Sequence, residues 1–117
     1  MKLPNLDQAE IPKEKITNYL LSIAHRDGRH KATFFMQYGF SPENWAALAE
    51  ALRRHAADNE IMKTEQTPFG TRYIVEGPLP TPDGRNPLVR VVWFVEHNEV
   101  IPRLATAYPL KRTGRMR

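Results

Sequence analysis

The sequence predicts an α+β fold: about three N-terminal helices packed on one face of a four-stranded antiparallel β-sheet, a meander. Three observations predict it. Apolar residues recur at helical spacing as far as Ala57, and after Asn59 the period changes to two. Helical runs precede strand runs, the order of a segregated α+β domain and not of alternating βαβ units. The four strand-like runs are joined by short links, which favour antiparallel neighbours.

Taken in order, residues 1–10 read as an irregular lead-in. Pro12 can open a first helix at its first turn, carried by Ile16, Tyr19, Leu20 and Ile23. Asp27-Gly28 breaks it. A second helix is expected from about Arg29 to Tyr38, with Ala32, Phe35 and Met36 on one face and Gly39 as its stop. Ser41-Pro42-Glu43 combines an N-cap serine, a proline at N1 and an acid in the first turn. This third helix runs to about Ala57 on a stripe of Trp45, Leu48, Ala49 and Leu52, with Arg53 and Arg54 complementing its dipole.

Glu60 to Thr67 reads as the first strand and Pro68-Phe69-Gly70 as a turn. Thr71 to Leu79 alternates, and Pro80-Thr81-Pro82-Asp83-Gly84 is a loop signal. Leu88 to Glu96, LVRVVWFVE, is β-branched and aromatic throughout. His97-Asn98 reverses the chain, and Val100 to Tyr108 closes the set. Pro102 argues that this last strand begins late or lies at an edge.

A chain of 117 residues, 41% hydrophobic and 26% charged, fits one soluble domain. We expect that domain over 1–110 and a basic, frayed tail over 111–117. The chain has no cysteine, which excludes disulfides, thiolate catalysis and Cys-type zinc sites. No apolar stretch approaches the ~18 residues of a membrane span, and the first residues lack a signal-peptide core, so a cytoplasmic location is expected. The net charge is +4. Lys111, Arg112, Arg115 and Arg117 supply all of it; the remaining 13 bases balance the 13 acids. Affinity for nucleic acid must therefore come from a local patch or from the tail.

No Walker motif, dinucleotide-binding glycine pattern or GxSxG elbow is present. His25, His30, His55 and His97 do not share metal-ligand spacing, so neither a metal nor a cofactor is expected. His55 near a helix end and His97 in a turn read as dipole or solvent partners. His25 differs, because it stands at a helix end before a new helix start. Backbone N–H groups over Gly28 to Lys31 would open toward it, with Arg29 and Lys31 adding charge. In the sheet, Arg90 interrupts the most apolar strand and needs a partner or an open face. Thr106 and Tyr108, two apart, point to that same kind of face. Arg72, Trp93 and Arg103 are the further candidates for contacting a ligand there. The competing expectation pairs Arg72, Arg90 and Arg103 across strands with Glu76 and Glu96.

The stretches TNYLLSIAHRDGRHKATFFMQYGFSPENW, FGTRYIVEGPLPTPDGRNPLVRVVWF and PRLATAYPL together resemble an uncharacterised bacterial domain family. They also look like the C-terminal toxin domains of large secreted bacterial proteins. Such domains carry a Tyr-Leu-Leu helix, a His-Pro-x-Gly turn, Lys-Ala, Gly-x-x-Tyr, an Arg-Thr-x-Trp strand and a Pro-Arg-Leu-x-Thr end. They are similar to the ribonuclease superfamily of barnase, EndoU, colicin D and RelE. Here Arg26 replaces the proline after the histidine, and Val91 replaces the threonine after Arg90. The resemblance implies a metal-independent ribonuclease, toxin-like, in which the 2′-hydroxyl attacks the adjacent phosphate. His25 would be the acid–base group. Lys31 and Arg90 would stabilise the transition state, Thr106 would bind the phosphate, and Tyr108 would orient it or carry a second proton. RNA and a small cognate antitoxin or immunity protein are the implied partners. Two alternatives stand beside it. One is a non-catalytic RNA- or protein-binding module on the same scaffold. The other is a structural domain whose arginines are all ion-paired. Convergence of His25, Lys31, Arg90 and Thr106 in one cleft separates the first from the others.

Overall fold

The computed structural model describes residues 1–24, Arg26 and residues 29–110. The expected break at Asp27-Gly28, the candidate His25 and the tail over 111–117 lie outside the described residues.

The first helix, α1, spans Lys13–Lys15 and continues as a π-helical turn over Ile16–Leu20. Leu21 N–H closes that turn on the Ile16 carbonyl at 2.7 Å. The wider turn lets Ile16, Leu20 and Leu21 all bury while Tyr19 stays half-buried at the side. It also ends the element before Ile23, which is exposed. The second helix, α2, spans Arg29–Gln37 and buries Ala32 and Phe35. Gly39, at φ +107°, turns the chain beyond it. A single 3-10 turn over Pro42–Asn44 leads into α3, Trp45–Asp58, and Ser41 makes no side-chain cap bond. The buried stripe of α3 is Leu48, Ala51, Leu52, His55 and Ala56, one step round from the expected Trp45 and Ala49.

The strands β1 (Ile61–Thr67), β2 (Gly70–Pro78), β3 (Leu88–Glu96) and β4 (Arg103–Pro109) form one antiparallel sheet in the order β1-β2-β3-β4. The fold is thus α+β with a four-stranded meander. The last strand starts later than Val100, as Pro102 requires. The Pro102 carbonyl instead accepts the Glu10 N–H at 2.9 Å, and Leu104 N–H donates to the Glu10 carbonyl at 2.9 Å. The lead-in therefore covers the outer edge of β4 through a parallel bridge between Glu10 and Arg103.

Val75, Val89, Val91, Trp93, Leu104 and Ala107 from the strands join Leu20, Phe35, Leu48 and Leu52 in one core. Trp93 is fully buried there. This corrects its expected place as a ligand-contacting residue: the period of two turns its indole away from Arg90 and into the core. The helical layer does not keep to one face either, because Tyr19 reaches around to Thr106.

His55 is also fully buried, against the expectation of a solvent role. Its Nε2 lies 2.9 Å from the Val89 carbonyl and 3.2 Å from that of Gly77, so the Nε2–H tautomer donates to both. The imidazole thereby ties α3 to the β2–β3 pair, since Gly77 and Val89 are register partners. Burial, the largest cause, holds its pKa below the ordinary value despite the two carbonyls and Asp58. Folding thus favours neutral His55, and the unfolded chain binds a proton first, below about pH 6.5. This contribution is intact above that pH and is lost as pH falls through it, with a limiting slope of about 1.4 kcal/mol per pH unit. Urea unfolding at pH 7.5 and pH 5 should show this acid-side loss, and His55→Gln should flatten it.

Candidate functional site

The face of the sheet opposite Trp93 is ordered by register into rows. Arg72, Phe94 and Arg103 are consecutive cross-strand partners at one end. Ile74, Val92 and Thr106 form the middle row. Glu76, Arg90 and Tyr108 form the third. Directly paired residues share a face, so these side chains make one surface. Ile74 and Val92 are buried at 5% and 1% exposure, so the middle row carries a covered apolar pair beside Thr106.

Each arginine on this face has a carboxylate. Arg90 Nε donates to Glu76 Oε2 at 2.5 Å, and Arg90 Nη2 pairs with the same oxygen. Arg90 Nη1 also reaches Tyr108 Oη at 3.4 Å. The Tyr108 hydroxyl and Glu76 together raise the pKa of Arg90 above its ordinary value. Arg72 Nη1 pairs with Glu65 at 2.7 Å, which also binds Lys63 at 3.1 Å. Arg103 Nε pairs with Glu10 at 3.1 Å. The expected pairing of Arg90 with Glu76 is present. For Arg72 and Arg103 the partners are Glu65 and Glu10, supplied by β1 and the lead-in.

A second cluster sits at the β4 side. Tyr19 Oη and Thr106 Oγ1 are 3.3 Å apart, and Lys31 Nζ lies 5.2 Å from the centre of the Tyr19 ring. Lys15 Nζ stands 5.6 Å from the same ring. Burial raises the Tyr19 pKa, but the hydrogen bonds from Thr106 and Lys31 and the charges of Lys31 and Lys15 outweigh it, leaving the phenol below its ordinary range. Thr106 and Tyr108 alternate on one strand, so this cluster adjoins the Glu76–Arg90–Tyr108 row.

Of the residues singled out from sequence, Lys31, Arg90, Thr106 and Tyr108 therefore come together. Arg72 and Arg103 lie at the far end of the same face. Arg29 is exposed at the start of α2. Trp93 is in the core, and His25 lies outside the described residues. Tyr19 is the addition, because its helical spacing with Ile16 and Ile23 marks it as a core residue. Val91 is fully buried on the Trp93 side. A threonine hydroxyl at that position would face the core and not this surface, so the Val91 departure removes no group from the site.

The arrangement offers a lysine, an arginine, two phenols and a hydroxyl beside the covered pair Ile74 and Val92. Such donors can bind an anion and stabilise charge that develops on it.

The family pattern described as "Domain of unknown function (DUF6883)" matches residues 2–111. The chain belongs to that family. No curated protein matches it. Among solved structures, it is similar to a chain of the "Contact-dependent growth inhibition toxin - immunity protein complex from Klebsiella pneumoniae 342". That match has a TM-score of 0.70 at 17% identity, over 92% of this chain and 97% of the other. At that identity the likeness is one of fold. Among the described residues, no helix is long and apolar enough to cross a membrane.

The Tyr19 environment can be read directly. Ultraviolet titration should show a phenol ionising below the ordinary range. Tyr19→Phe should abolish that component, and Lys31→Met should move it up. An unchanged titration in Lys31→Met would refute the electrostatic contact.

Proposed function

We propose that this chain is a toxin-like, metal-independent ribonuclease. The observation that carries this reading is the meeting of Lys31, Tyr19, Thr106, Arg90 and Tyr108, from four separate segments, on one sheet face. The fold likeness to a toxin–immunity complex supports it. In the proposed reaction the 2′-hydroxyl gives its proton to a base as its oxygen bonds to phosphorus. The bond from phosphorus to the 5′-oxygen breaks, and that oxygen takes a proton from an acid. The products are a 2′,3′-cyclic phosphate and a free 5′-hydroxyl. His25 is the acid–base group, as the toxin-domain resemblance implies. Lys31 and Arg90 stabilise the phosphorane-like charge, Thr106 hydrogen-bonds the phosphate, and Tyr108 orients it. Arg29, Arg72 and Arg103 extend the RNA path along the same surface. The proposed site belongs to a single domain over 1–110, with the Arg90 and Glu76 side chains partly exposed. A small immunity protein, acidic where it covers Lys31, is the proposed partner.

A second reading, a non-catalytic RNA-binding module, is favoured by one observation: Arg72, Arg90 and Arg103 are each already paired with a carboxylate.

Induced expression in a bacterial host, with total RNA run on a denaturing gel, separates them. Wild type should arrest growth and yield discrete RNA fragments, and His25→Ala should do neither. Purified protein should cleave RNA in the presence of EDTA, with Lys31→Ala slower by roughly 100-fold. Intact RNA together with retained RNA binding would instead establish the second reading.

A further inference from the structure

Beyond the Arg90–Tyr108 row, at the end of the sheet, lies a cavity of about 480 Å³. Its walls include Phe34 and Tyr38 near the end of α2, Arg85 and Pro87 of the β2–β3 loop, Leu88 of β3 and Pro109 of β4. Leu88 is two residues before Arg90 and shares its face, and Pro109 directly follows Tyr108. The cavity therefore lies about 6.8 Å along the strands from the Arg90 row.

The wall formed by Arg85 is unusual. Its guanidinium carbon lies 4.4 Å from the centre of the Tyr38 ring. Arg85 Nε donates to Asp83 Oδ2 at 2.7 Å, and Nη2 donates to the Gln37 carbonyl at 2.8 Å. Arg85 N–H is fixed in turn on Asp83 Oδ1 at 3.0 Å. The Phe34 ring centre stands 5.1 Å from that of Tyr38. A planar cation is thus held in place beside a tilted aromatic pair, in a cavity that prolines and a leucine also line. This is a surface for a flat, electron-rich ring. A second phosphate would meet the Asp83 carboxylate here, and a flexible aliphatic chain would use none of the fixed cation.

We propose that this cavity is a nucleobase subsite, taking one unstacked base of single-stranded RNA next to the phosphate held at the Arg90 row. It rests on the ribonuclease reading for its substrate and adds what that reading lacks, a means of choosing a base and a register along the strand. Arg85 and Tyr38 act as its stacking platform.

The test uses short 2′-O-methyl RNA, which a 2′-hydroxyl mechanism cannot cleave, either intact or with a single abasic residue placed at each position in turn. Binding is followed by fluorescence anisotropy. For wild type, one abasic position should weaken binding roughly ten-fold. Arg85→Ala should weaken the intact oligonucleotide by a similar factor and lose the sensitivity to that abasic position. Arg85 is on an exposed loop, so the variant is expected to melt as wild type does, and Tyr38→Leu gives a second probe of the same platform. Equal binding of intact and abasic RNA to wild type would overturn the proposal. So would an Arg85→Ala loss equal for both, which is a plain charge effect. No binding at all would also overturn it and leave the cavity to a protein side chain. Parallel incubation with unmodified RNA distinguishes the two readings. The abasic pattern without cleavage removes the ribonuclease and keeps the base subsite. Cleavage without the abasic pattern does the reverse.

Discussion

Arg90 is the residue on which the arrangement turns. It sits in the middle of the most apolar strand, flanked by Val89 and Val91, both fully buried. A one-residue slip of β3 against β2 would exchange the two faces and drive its guanidinium in among the core side chains. An unpaired charge there costs several kcal/mol. Glu76, directly opposite in register, answers that demand at the surface, with both side chains partly shielded. The pair therefore specifies register more than it adds stability, because the attraction gained is offset by desolvation. Once β3 is pinned, Tyr108 falls opposite Arg90 and Thr106 opposite Val92. Tyr19 can then meet Thr106 from the neighbouring helical segment.

Much of this fold was legible in the sequence because the strongest signals were local. LVRVVWFVE fixed β3 to the residue, and the Asp83-Gly84 and His97-Asn98 punctuation separated the strands. Pro102 signalled the late start of β4. What was illegible depended on contacts between distant segments. The π-helical turn at Ile16–Leu20 forms because Leu20 and Leu21 both find core partners, and no local propensity encodes that choice. The same demand moved the buried stripe of α3 from Trp45 and Ala49 to Ala51 and His55. Polarity alone would place His55 outside, but two backbone carbonyls of the β2–β3 pair supply the partners that make its burial tolerable.

The site divides in the same way. A period of two suffices to align Thr106 with Tyr108, whereas their sharing the face of Arg90 depends on the β3–β4 register. It equally shows that Trp93 and Phe94 point apart, but it does not say which of them is the inner one. The core supplies that answer by taking the larger indole. Tyr19 was hidden by its spacing, which fits an apolar stripe as well as a site. The carboxylates on Arg72 and Arg103 were hidden for another reason. Glu65 reaches Arg72 through the β1–β2 register, and Glu10 reaches Arg103 only because the lead-in folds along β4.

The ion pairs also decide which cation matters most for an anion. Arg90 and Glu76 together bring little net charge to their row, so Arg90 stabilises charge through oriented donors more than through net attraction. Lys31 is placed differently, because it packs on a neutral phenol beside Thr106. Burial would raise the Tyr19 pKa, and the hydrogen bonds of Thr106 and Lys31, with the charges of Lys31 and Lys15, lower it. With Lys31 over the Tyr19 ring and the Tyr19 hydroxyl 3.3 Å from Thr106, negative charge placed against Thr106 lies close to a lysine. In the proposed reaction that charge is the one that grows on the phosphoryl oxygens as the 2′-oxygen attacks. Lys31 then supplies the electrostatic stabilisation, and the Glu76–Arg90–Tyr108 row supplies the geometry in which it acts.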